Sequence, residues 1–263
     1  MPELHRDGVS IHYEVHGGTE TSGSSNDAVP VLLSHGYSAS THMWAKNVDA
    51  LASDRTVVTW DLRGHGESDS PDDPALYTPE ACLDDMAAIL DACGIERAAL
   101  GGHSLGGFLS LAFRLAHPDR VAALALCNTG PGYKQADGRA AWNRMAEGFA
   151  VGFEERGLDA LSGSPEVTGG HHDPKGLARA ARGILVQRDG RVIELLPGID
   201  VPTLVVVGEN DRPFLAAADY LAVKIPGARK AVIPGAGHAA NVDQPATFNR
   251  IVGDFLASVP ART

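Results

Sequence analysis

Short apolar runs that alternate with helical patterns constrain this chain more than any other feature. Val31–Ser34, Thr56–Trp60, Ala98–Gly101, Val121–Cys127, Thr203–Val207 and Lys230–Ile233 read as strands. Met43–Ala52, Pro79–Cys93, Leu105–Ala116, Phe214–Lys224 and Pro245–Ala257 carry helical spacing between them. Such alternation predicts an α/β fold, with a mostly parallel central sheet and helices on both faces. Ahead of it, Glu3–His16 has a turn signal at Asp7-Gly8 and an alternating Ile11, Tyr13, Val15, which predicts an edge hairpin. Gly17–Asp27 is a loop by composition. The rhythm fails between Pro131 and Pro197, where no buried strand is evident and Gly and Pro interrupt the helical patterns. The expected organisation is therefore a core of residues 1–130 and 198–263 with a small helical lid, 131–197, inserted into it.

Composition narrows the class. The 22 Lys and Arg against 33 Asp and Glu give 263 residues a net charge of −11. Nucleic acid and anionic membranes attract proteins through basic patches, so neither is an expected partner. No apolar run approaches the roughly 18 residues of a membrane span, and Met1–Arg6 lacks an apolar signal stretch, so the expected address is cytoplasmic. Cys82, Cys93 and Cys127 form no ligand pattern and are expected as reduced core residues. No metal site is expected. His12 and His16 fall along the polar face of a strand, and Gly and Pro flank His171-His172-Asp173 as in a surface turn. The sequence sets no oligomeric state.

The chemistry concentrates where Ala98–Gly101 runs into Gly102-His103-Ser104-Leu105-Gly106, followed by Leu105, Phe108, Leu109, Ala112 and Leu115 at helical spacing. A serine on a strand–turn–helix is lifted above the sheet in a strained geometry, with Gly102 and Gly106 permitting close backbone approach. Helix amides then point at the reacting centre.

With this turn, the chain resembles the α/β-hydrolase superfamily, in particular its smaller lidded esterases, lactonases, carbon–carbon hydrolases and haloperoxidases. The resemblance extends over nearly the whole chain. It includes His35-Gly36-Tyr37, Asp61–Ser68 (DLRGHGES), Gly208-Glu-Asn-Asp211 and Gly235-Ala-Gly-His238. It implies Ser104 as nucleophile, His238 as base and Asp211 as the acid that orients the base, in the chain order of this fold. Glu209 is the rival acid, and Asn128, where some relatives carry the acid, is not a carboxylate. The amides of Tyr37 and Leu105 are the implied oxyanion hole. Arg63, Gly64, His65 and Gly66 resemble a motif that is mainly structural in relatives.

In the lid, Trp142, Met145, Phe149 and Phe153 recur at helical spacing, and Trp142, Phe149 and Phe153 are the candidate substrate-binding residues. Arg179 and Arg182 share a helix face, where contact with an anionic substrate is a further expectation. The function expected is a serine hydrolase cleaving a small ester or lactone through an acyl-enzyme, with no metal or organic cofactor required. Carbon–carbon hydrolysis, peroxide-dependent chemistry on the same triad, and a slow-turnover ligand receptor stay open as alternatives.

Overall fold

The computed structural model describes residues 3–17, 28–161 and 170–260; apart from Gly17, the Gly17–Asp27 stretch lies outside them. Among these residues an eight-stranded sheet is formed by β1 (Glu3–Arg6), β2 (Val9–His16), β3 (Val31–Ser34), β4 (Val57–Trp60), β5 (Ala98–His103), β6 (Val121–Cys127), β7 (Thr203–Gly208) and β8 (Arg229–Ile233). Their order is β1-β2-β4-β3-β5-β6-β7-β8. The first hairpin pairs antiparallel, β2 joins β4 antiparallel, and every pairing from β4 to β8 is parallel. Strand order reverses between β3 and β5, which opens a crevice at the carboxyl ends of those strands.

The two-residue strand period divides the core into two layers. Leu32, Val58, Leu100, Leu124 and Val205 pack in one layer with residues of α2 (Pro79–Ala92), α3 (Leu105–Ala116) and α7 (Arg212–Lys224). Val31, Leu33, Val57, Ala99, Ala125 and Val206 pack in the other with α1 (Val48–Leu51) and α9 (Pro245–Ala257). The remaining helices are α4 (Ala136–Arg156), α5 (Pro174–Gly183) and α6 (Arg191–Leu195) between β6 and β7, and α8 (Ala240–Asp243) before α9. Among the described residues no helix is long and apolar enough to cross a membrane.

Several local expectations need correction. Met43–Ala52 is not one helix: a 3₁₀ turn at Thr41–Trp44 precedes the short α1. The break falls at buried Asn47, whose amide donates to Asn249 Oδ1 at 2.7 Å and to the Asn241 carbonyl at 3.2 Å. The helix expected at Phe214 begins at Arg212, since Pro213 in a first turn forfeits no hydrogen bond. Glycine does not break α4, which runs unbroken through Gly138, Gly148 and Gly152; an interior glycine costs about 1 kcal/mol, and packing overrides it. In β2, His12 is buried while Val15 is 46% exposed, so the polar face is not continuous there. Cys82 and Cys127 are buried, Cys93 only partly, and all three are free thiols.

The loop after β4 is fixed by a buried ion pair. Arg63 and Asp85 are both fully buried and meet in a two-pronged contact, Nε to Oδ2 at 2.6 Å and Nη2 to Oδ1 at 2.8 Å. Arg6 Nε adds a third bond to Asp85 at 2.8 Å. Burial alone would lower the Arg63 pKa, but the carboxylate beside it leaves the guanidinium above its ordinary value. Removing one partner of such a pair strands a buried charge, so Asp85→Ala should cost about 3–5 kcal/mol in urea unfolding. A loss below about 1 kcal/mol would show that this pair does not hold the loop.

Candidate functional site

Ser104 stands between the end of β5 and the start of α3 with φ 51° and ψ −113°, a region that residues bearing Cβ seldom occupy. Two glycines make that turn possible. A Cβ on Gly102 would lie 2.2 Å from the Gly106 backbone, and one on Gly106 would lie 2.2 Å from the Ser34 carbonyl of β3. The Ser104 carbonyl accepts from Thr129 Oγ1 at 2.6 Å, while the serine side chain makes no capping bond to α3. Its hydroxyl is therefore not spent on the helix it precedes.

The neighbouring strand ends supply the other groups. β3 and β5 pair with Ser34 opposite Gly102, so the His35-Gly36-Tyr37 turn follows the strand beside Ser104. Leu105 opens α3, and a first-turn amide has no intrahelical acceptor. Across the sheet, His103 lies opposite Cys127 and Cys127 opposite Val206, which brings Asn128 and the turn carrying Asp211 to the same edge. Gly208 pairs with Ile233, and His238 lies on the turn beyond. His238 Nδ1 is 2.9 Å from Asp211 Oδ2, with the carboxyl group 3% exposed and the imidazole 30% exposed. Glu209, the rival acid, is exposed and accepts from the Gly235 amide at 2.9 Å.

Three residues around this pair had no assigned role in the sequence reading. Asn128, in the left-handed region at φ 48°, donates from Nδ2 to Asp211 Oδ2 at 2.7 Å and to the Gly237 carbonyl at 3.2 Å. Phe214 stacks on the His238 ring at 4.8 Å. His103 donates from Nε2 to the His238 carbonyl at 2.8 Å and lies edge-on to its ring at 4.7 Å. A usable sequence signal existed only for Asn128, a small polar residue directly after a buried strand.

These groups open on one cavity of about 890 Å³ bounded by the sheet's carboxyl edge and α4. Ser104, Leu105, Tyr37, Asp211 and His238 line it, as do Trp142, Met145, Phe149 and Phe153. The size and the mainly apolar lining suit a small organic molecule. Trp142 Nε1 donates to the Leu185 carbonyl at 2.8 Å, and Tyr37 Oη donates to the Leu177 carbonyl of α5 at 2.9 Å. The Tyr37 ring also packs 5.8 Å from Phe149 and 6.2 Å from Phe153, so the turn after β3 is tied to the segment between β6 and β7.

Arg179 and Arg182 do not line the cavity. Arg179 is paired with Asp72 at 2.7 Å, and Arg182 binds Glu147 and Glu154 on α4, so the anion contact expected of them is replaced by bonds between structural elements. His171 is likewise no surface-turn residue. Its Nδ1 accepts from the Gly66 amide at 3.1 Å and its Nε2 donates to the Ser38 carbonyl at 2.9 Å, clamping two loops. His172 meets Glu67 at 2.8 Å.

Residues 29–165 match the family model described as alpha/beta hydrolase fold. The chain belongs to this family. An α/β hydrolase of this kind has varied relatives. The chain is 32% identical to “Putative carbamate hydrolase RutD” of Caulobacter sp. (strain K31), over 95% of its own length and 97% of the relative's. It is 29% identical to “Putative 2-succinyl-6-hydroxy-2,4-cyclohexadiene-1-carboxylate synthase” of Bacillus subtilis (strain 168), over 89% and 92%. The crystal structure of the enol-lactonase from Burkholderia xenovorans LB400 superposes with a TM-score of 0.75 at 30% identity, covering 98% of this chain and 100% of that one. Together these relatives support hydrolase chemistry without naming one bond.

Burial makes the site sensitive to acid. Desolvation holds the His103 imidazole down to about 3 and the His35 imidazole down to about 4. Both remain neutral in the folded protein at pH values where an unfolded imidazole, titrating at about 6.5, is protonated. The unfolded state then binds more protons, so each residue's stabilisation is intact above about pH 6.5 and is lost as pH falls toward the folded value. Each contributes a slope of about 1.4 kcal/mol per pH unit in that window. Urea unfolding between pH 6 and 4 should show stability falling with acid, and His103→Gln should make the dependence shallower by about one residue's slope. An unchanged slope would mean that His103 is not held neutral.

Proposed function

We propose that this chain is a serine hydrolase that cleaves a small carboxylic ester or lactone through an acyl-enzyme. The observation that carries the reading is the shared cavity: a serine in a strained turn, with its hydroxyl unused by the helix, and a His238–Asp211 pair both line it. A serine hydroxyl is a weak nucleophile until a base removes its proton. In this reading His238 Nε2 takes the Ser104 proton as Oγ attacks the substrate carbonyl, and the amides of Tyr37 and Leu105 receive the developing oxyanion. His238 then passes the proton to the leaving oxygen, and water repeats the cycle on the acyl-enzyme. Asp211 fixes the tautomer through Nδ1–H, and Asn128 in turn holds the carboxylate. No step needs a metal or organic cofactor.

The segment 131–197 acts in this reading as the lid, with Trp142, Phe149 and Phe153 contacting the apolar part of the substrate. A carbonyl in bulk water would gain little from the oxyanion amides, whereas a mainly apolar cavity strengthens their field. The enol-lactonase and carbamate hydrolase names among the relatives fit attack on a carbonyl bearing an oxygen or nitrogen leaving group.

A panel of short aryl esters, aliphatic lactones and vinylogous diketones tests the reading. The expected outcome is kcat/KM highest on an ester or lactone, with Ser104→Ala losing at least about 10⁴-fold and Asp211→Asn losing about 10⁴-fold at neutral pH. Preferred turnover of a diketone would move the assignment to carbon–carbon hydrolysis. Ser104→Ala with near-normal kcat/KM would remove the nucleophile altogether.

A further inference from the structure

Most arginines of the segment between β6 and β7 are engaged. Arg139 donates to the Tyr133 and Lys134 carbonyls, Arg179 pairs with Asp72, Arg182 with Glu147 and Glu154, Arg188 with Glu80, and Arg191 with Asp189. Arg156, in the last turn of α4, differs. It lines the cavity, and among the described residues no carboxylate pairs with it. Among the described residues it is the one Lys or Arg that lines the cavity, and Asp211, already held by His238 and Asn128, is the one carboxylate that does.

The helix presents Arg156 to the cavity by design of its spacing. Trp142, Met145, Phe149, Phe153 and Arg156 recur three or four residues apart, which puts them along one face. Helical side chains lean toward the N-terminus, and the guanidinium accordingly reaches back over Gly152, another cavity residue: a Cβ placed on Gly152 would lie 3.3 Å from Arg156 Nη2. A basic residue in a last turn also suits the helix dipole. That role does not require the side chain to lie over the one cavity-facing glycine of its own turn.

We propose that Arg156 is the carboxylate-binding residue of this cavity, so that the substrate is an ester or lactone carrying a carboxylate beyond an apolar spacer. The spacer lies along Phe149 and Phe153, and the scissile carbonyl is at Ser104. In a chain of net charge −11 an anionic substrate needs a local cation, and the guanidinium fork matches a carboxylate with two hydrogen bonds. This rests on reading the cavity as the substrate site, and one arm of its test is independent of turnover.

Two arms test it. In the first, 4-nitrophenyl hydrogen glutarate and its neutral methyl ester are compared as substrates. Arg156→Gln should raise KM for the acid about tenfold or more, the scale of a lost charge-assisted bond, leave its kcat within about twofold, and not change the neutral ester. Arg156→Lys should recover part of the loss. In the second, calorimetry measures binding of 5-phenylvalerate and 5-phenylvaleramide. The native protein should favour the acid about tenfold, and Arg156→Gln should abolish the preference. Equal effects on acid and neutral probes, or no preference in the native protein, would overturn the proposal. Absence of ester turnover together with an Arg156-dependent preference in binding would sink the hydrolase reading and leave the carboxylate site standing.

Discussion

Everything at the site depends on how closely β5, α3 and β3 approach one another. Gly106 lies against the Ser34 carbonyl, Gly102 lies against Gly106, and neither distance leaves space for a Cβ. That contact holds Ser104 in its left-handed turn, seats the start of α3 against β3, and sets the first amides of α3 beside the turn that follows β3. The strain is local and of order 1–3 kcal/mol. It is sustained by the surrounding core, where Leu32, Leu100, Leu105 and Leu109 are all buried.

A second set of contacts extends that order across the sheet. Parallel pairing delivers β6, β7 and β8 to the same carboxyl edge, and their following turns carry Asn128, Asp211 and His238. The chain of bonds from Asn128 through Asp211 to His238 joins three strand ends, while His103 reaches over from β5 to hold the His238 carbonyl. An imidazole held from one side by a carboxylate and on its faces by Phe214 and His103 has few orientations left, and such preorganisation is what proton transfer requires. Tyr37 in addition ties the turn after β3 to α4 and α5.

The strand–helix alternation and the GHSLG turn were legible because both are local: buried parallel strands read as short apolar runs, and a glycine-bounded serine before a helical pattern leaves little choice of geometry. α3 and α9 begin and end where their patterns do. What the sequence did not disclose depends on partners distant along the chain. Asn47 breaks an apparent helix because Asn241 and Asn249, some two hundred residues away, receive its amide. Arg179 and Arg182 read as a free basic face because the acids that engage them belong to the loop before α2 and to α4. Arg156 continues the spacing of Trp142, Met145, Phe149 and Phe153, but only the course of α4 beside the cavity brings that face to the site.

The claim on which the account stands is that the hydroxyl presented by the β5–α3 turn is a nucleophile activated by His238. Treating the purified protein with a fluorophosphonate and mapping the adduct by peptide mass spectrometry addresses that directly. The account predicts a single modified site at Ser104, formed rapidly in the native protein and greatly slowed by His238→Ala. Modification at another residue, or an adduct at Ser104 formed equally fast without His238, would contradict it.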